Sequence, residues 1–240
     1  MKTTTNVTLM SPCRCGWLAL LLGAFTLAGI SQNAQANDDE NPGVVPADEK
    51  FRGLSYGEWG ARWWSTAFSI PVVGGNHPLF SGGAFGEDKG VLFLAATAGP
   101  ATINVTVPVG TALFFPVINA ECSVLEPDPF HGDDEAELRA CANGHIDNTS
   151  GLLAVIDGVS VNNLGDNRVE SPLFEFGPLP PDNLFGAPTG TTSLAVDAGV
   201  YLLLEPLPVG THVVHVKGTF DLLGSSIDTT FNITVVSKKK

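Results

Sequence analysis

Trp59, Trp63 and Trp64 stand within six positions of one another, and their ring faces are the first feature here that could bind something. Turned to solvent, they would form a stacking platform for sugar rings or another apolar ligand, since aromatic faces offer area at low entropic cost. Turned inward, they would anchor a helix to the core, the commoner fate of aromatics at helical spacing. The acid-rich run from Glu126 to Glu137 suggests a second chemistry. Oxygen-rich loops suit calcium, which takes about six to eight oxygen ligands. An EF-hand register fails, because Phe130 falls on a liganding position and Gly132 comes one place late. The competing reading is a solvated loop leading into an acid-rich helix start. If a metal is held, Glu121, Asp128 and Asp133 are its candidate ligands, and calcium is the cofactor they would suit.

Other chemistries find less support. His212 and His215 are three apart on an expected strand, so they point to opposite faces and cannot share one metal. Nothing in the spacing of His77, His131 and His145 demands zinc. Gly53-Leu54-Ser55-Tyr56-Gly57 spells Gly-x-Ser-x-Gly, but no strand is expected before it, so it lacks the strand-turn-helix setting of a nucleophile elbow. Gly82-Gly83 with Gly86 precede no Lys-Ser/Thr pair that would make a phosphate cradle. A catalytic pair of carboxylates stays open, because sequence does not give the separation of any two of the 25 acids.

The beginning of the chain bears on the compartment. Lys2 and Arg14 precede an apolar run from Gly16 to Ile30, and Ala34-Gln35-Ala36 follows as a small-x-small cleavage pattern. This reads as a secretory signal peptide over 1–36, since the run is shorter than the roughly 20 residues that span a bilayer. The expected location is secreted or periplasmic. Cleavage would leave 10 bases against 25 acids, a net charge of −15. Such a charge argues against nucleic acid and anionic membrane partners, leaving a glycan or a protein as the expected kind of partner. It would also remove Cys13 and Cys15, leaving Cys122 and Cys141 as an even pair in an oxidising compartment, where a disulfide is expected.

These residues need elements to hold them. Residues 37–50 are acidic and contain proline, which predicts a disordered lead-in. One domain is expected over 51–237, with a solvated basic tail at 238–240. Ser55 and Glu58 fit a capping box that opens a first helix ending near Pro71, and a second is expected over 133–142. Strands are predicted over 91–97, 101–107, 111–118, 152–156, 159–162, 168–176, 192–196, 199–204, 211–220 and 227–236. Many short strands at regular spacing indicate a mainly β chain, an antiparallel β-sandwich (jelly-roll or immunoglobulin-like) with two short helices and one disulfide.

The runs Ser55-Tyr56-Gly57-Glu58-Trp59 with Trp63-Trp64 and Ser69-Ile70-Pro71, and Phe114-Phe115-Pro116-Val117-Ile118-Asn119 with Glu121-Cys122, resemble those of a family of uncharacterised exported bacterial proteins. So do Glu137-Leu138-Arg139-Ala140-Cys141, Ser171-Pro172-Leu173-Phe174 and Tyr201-Leu202-Leu203-Leu204 with Gly210-Thr211-His212. The likeness spans nearly all of the expected mature chain. It implies export and a shared fold, and supplies no catalytic residues. Relatives carry a further Cys in the segment matching Phe80 to Gly90, where this chain has none. The combined expectation is a binding or structural envelope protein, with a secreted hydrolase acting on a glycan or ester as the alternative.

Overall fold

Ser55 opens the first helix as its side chain predicts. Its hydroxyl accepts from the Glu58 backbone N–H at 3.3 Å, and the Glu58 carboxylate accepts from the Ser55 N–H at 2.8 Å. Helix α1 (Tyr56–Phe68) then lays Tyr56, Trp59, Trp63 and Ala67 on the face of a sheet. In the computed structural model, which describes residues 42–237, this helix covers one side of a two-sheet sandwich. The signal peptide expected at 1–36 and the basic tail expected at 238–240 lie outside the described residues.

After α1 come a one-turn helix α2 (Pro78–Ser81), β1 (Gly83–Asp88), β2 (Val91–Ala95), β3 (Gly99–Pro108) and β4 (Ala112–Ser123). Helix α3 (Glu135–Asp147) leads into β5 (Thr149–Ile156), β6 (Val159–Ser160), β7 (Arg168–Glu170) and β8 (Phe174–Phe176). The chain finishes with β9 (Ser193–Leu204), β10 (Gly210–Phe220) and β11 (Ser225–Val236). The first sheet runs β1-β2-β4-β9-β7, with β8 also on β9, and the second runs β3-β11-β10-β5-β6. Between them lies the main core, including Phe115, Ile118, Leu202, Val214 and Phe231. Leu138, Ala142 and Ile146 of α3 join this core, and Cys122–Cys141 ties the helix to β4.

The mainly β sandwich and the disulfide are as expected, and several details differ. Strand β1 forms where no strand was predicted, and the single strand expected over 168–176 is divided into β7 and β8. The pairs β2–β4 and β3–β11 run parallel, because the chain crosses from β2 into the second sheet as β3 before β4 returns beside β2. Helix α2 makes a third helix, capped by His77, whose buried ring accepts from the Leu79 N–H at 3.1 Å. Strand β9 is continuous where a break was expected between residues 196 and 199. The lead-in is ordered from residue 42: Val44 bridges to Leu204 and Val45 is buried. These two valines carry enough apolar area to outweigh the acidic composition around them. Among the described residues no helix is long and apolar enough to cross a membrane.

Candidate functional site

Two acids face each other across the middle of the first sheet. Glu121 on β4 and Asp197 on β9 are directly paired in the antiparallel register, and both are buried. Like charges opposite one another on neighbouring strands are unfavourable, and here they are also removed from water.

Asp197 is held by neutral donors. The Tyr201 hydroxyl lies 2.8 Å from both of its carboxylate oxygens, and the Trp64 indole N–H donates to Oδ1 at 2.8 Å. Asn119 in turn donates to the Tyr201 hydroxyl at 2.9 Å. Burial outweighs these donors and pushes the Asp197 carboxyl up to about 7. Gly60 makes the approach feasible, since a Cβ there would stand 2.5 Å from Asp197 Oδ2. Its missing side chain lets α1 settle directly over the acid.

Glu121 has poorer company. Its carboxyl lies against that of Glu126, and Oε1 has no hydrogen-bond donor. Two carboxyls can bond to each other only when a proton sits between them. Burial first, then the neighbouring Glu126 and Asp197 charges, hold the Glu121 carboxyl well above the usual range. Burial raises Glu126 as well. The turn after β4 places Glu126, whose Oε2 accepts from the Ser123 hydroxyl at 2.9 Å while its own N–H donates to that oxygen at 3.3 Å. No cation acts on Glu121; the charged groups that do are both acids.

A cavity of about 440 Å3 opens over this pair. Trp64 and Phe68 of α1, Phe130, Phe185 and the Phe220–Leu223 end of the β10–β11 hairpin supply its apolar walls. Phe130 is set by a stacked contact with His145 of α3, ring centroids 4.7 Å apart. Phe80 and Leu223 stand exposed at the rim. A second lobe of about 210 Å3 shares Trp64, Asn119 and Phe220 with the first. Glu121 and Glu126 are the only ionisable side chains lining either lobe among the described residues.

The residues singled out from sequence divide here. Trp59 and Trp63 are core, at 0% and 2% exposure, with indole N–H groups donating to the Phe51 and Leu94 carbonyls. They form no solvent platform, because α1 turns that face onto the sheet. Trp64, one position off the face, reaches the main lobe, and the edge of the buried Trp63 lines the second lobe. The metal set does not assemble: Glu121 is buried while Asp128 and Asp133 are exposed, and the three do not come within ligating distance of one another. Cys122, Cys141 and His145 do cluster, but both sulfurs are spent in the disulfide. The two strand histidines are separate as expected, His212 on Asp157 and His215 on Asp228. Sequence reasoning missed Asp197, Tyr201 and Asn119, and took Glu126 as part of a solvated loop. The signal was present in a lone acid inside the apolar run from Leu194 to Leu204.

Comparison of the chain with protein-family models, curated proteins and solved structures finds no match in any of the three.

Proposed function

We propose that this chain is an exported binding protein, secreted or periplasmic, that encloses a small ligand with an apolar, ring-compatible body and a polar end. The single observation that carries the reading is Glu121 Oε1, an acceptor without a donor at the polar end of an aromatic cavity. A buried polar group left unpaired costs about 1–3 kcal/mol, so a site that keeps one is arranged for a donor from outside. Cavities of roughly 300–1,000 Å3 with few polar groups are the usual form of small-molecule sites. The disulfide, the leader pattern and the resemblance to exported bacterial proteins support the compartment. The test is a screen of uncharged and charged phenylalkyl compounds, read by thermal shift and by Trp64-dependent fluorescence. Binding that Trp64→Phe alters supports the reading, and a screen in which no compound shifts the melt overturns it.

The convergence of two carboxyls in a cleft favours a second reading, a hydrolase. Glycan cleavage fits poorly, because retaining glycosidases hold their carboxyls about 5 Å apart and inverting enzymes wider still, whereas Glu121 and Glu126 touch. Ester cleavage by a proton-sharing pair is the form that fits. Turnover of nitrophenyl esters that Glu126→Gln abolishes would favour this reading over simple binding.

A further inference from the structure

Glu121 and Glu126 meet the ligand end of the cavity with carboxyl oxygens only. Asp197 stands behind Glu121 on the neighbouring strand, fully buried. Asn119 and Ser225 are the other polar side chains of the main lobe, and no lysine, arginine or histidine lines either lobe. The walls are ring faces, Trp64 and Phe130 among them. Such faces carry negative potential and attract cations. Every group with a sign in this cavity therefore has the same sign.

We propose that the ligand is a protonated amine on an apolar body, its ammonium group bound between Glu121 and Glu126. This rests on the reading of the cavity as a ligand site. Without a ligand, a proton between the two carboxyls is the donor that joins them, while the Ser123 hydroxyl serves Glu126 Oε2. An ammonium group brings three N–H donors, enough to serve Glu121 Oε1 and a Glu126 oxygen together. Its arrival displaces the shared proton, so binding releases a proton to solvent while both carboxyls become carboxylates. Asp197 stays on its own donors, Trp64 and Tyr201, and adds to the field without touching the ligand. A carboxylic acid or a phosphate would bring a further negative group to this end, where no base would meet it.

The experiment compares phenylbutylamine, phenylbutanol and phenylbutanoate, which have nearly the same shape and differ in the charge of one end. Titration calorimetry on the full chain, in two buffers of different ionisation enthalpy, reads affinity and proton release together. The expected result is an amine bound at least about tenfold more tightly than the alcohol, as charge-assisted hydrogen bonds allow. Proton release should accompany the amine only, and Glu121→Gln should remove the preference while alcohol binding persists. Equal binding of amine and alcohol, or tighter binding of the carboxylate, overturns the amine assignment and leaves the cavity reading intact. Failure of all three compounds to bind, checked by Trp64 fluorescence, overturns both. Glu126→Gln serves as the second variant, and retention of full amine preference by both variants also refutes the assignment.

Discussion

Glu121→Gln is expected to make the protein more stable. The side chain keeps its shape, and its new amide N–H donates to Glu126, replacing a shared proton with a permanent donor. The substitution also ends the cross-strand opposition to Asp197. Relieving one unsatisfied buried polar group is worth about 1–3 kcal/mol. For a chain of this size each kcal/mol moves the melting temperature by about 2–4 °C, which gives a rise of roughly 2–12 °C. Above neutral pH the gain should be largest, because the pair is then hardest to keep protonated. Near about pH 5 it should shrink, since Glu121 and Asp197 both hold protons there. Scanning calorimetry of wild type and variant at both pH values is the assay. A variant that melts at or below the wild-type temperature at about pH 8 would refute the claim that Glu121 is held at a cost to the fold. A residue whose removal stabilises the protein is one kept for function.

Replacing Cys122 and Cys141 together by alanine is expected to cost about 3 kcal/mol on the chain-entropy model for a sequence separation of 19, seen as a lowered melting temperature; thiol titration of the purified protein should find neither sulfur free. For Asp197, whose carboxyl is raised from 3.8 to about 7, the folded state binds the proton more tightly than the unfolded one. Its contribution to stability is therefore greatest below about pH 4, declines as pH rises toward about 7 and is flat beyond. Asp197→Asn should flatten that decline in melting temperature against pH, and an unchanged slope would show that the decline has another source.

The framework was legible wherever a local signal had a single cause. The Ser55–Glu58 capping box is a contact between near neighbours, and it stands as read. Setting aside the two cysteines of the expected leader, Cys122 and Cys141 have one partner each to choose, and they pair. The cavity was another matter, because its members come from α1, the end of β4 and the turn after it, the segment around Phe185 and the tip of the β10–β11 hairpin. Asp197 looked like a strand break because an acid seldom sits in a strand interior, and only the donors from Trp64 and Tyr201 permit it. The tryptophans were legible as a helix face, but the register that buries Trp59 and Trp63 while sending Trp64 to the cavity depends on where the sheet lies. Val44 and Val45 were masked by the acids around them, and their ordering comes from Leu203 and Leu204, nearly 160 residues away.

The partners of the early elements have a consequence for timing. Val44 and Val45 meet the end of β9, α1 seats on Tyr201 and Leu203 of that strand, β4 pairs along it, and β3 lies beside β11, the last strand. A ribosome releasing this chain from its N-terminus would deliver α1 together with β1, β2 and β4, on which it also packs, but without β9, β10 and β11, which complete both sheets. Assembly must wait for the final forty or so residues, and long-range pairings of this kind are slow to close. The nascent polypeptide therefore leaves β3 and the β9-facing edge of β4 unpaired until late in synthesis, open to any factor that shields exposed strand edges.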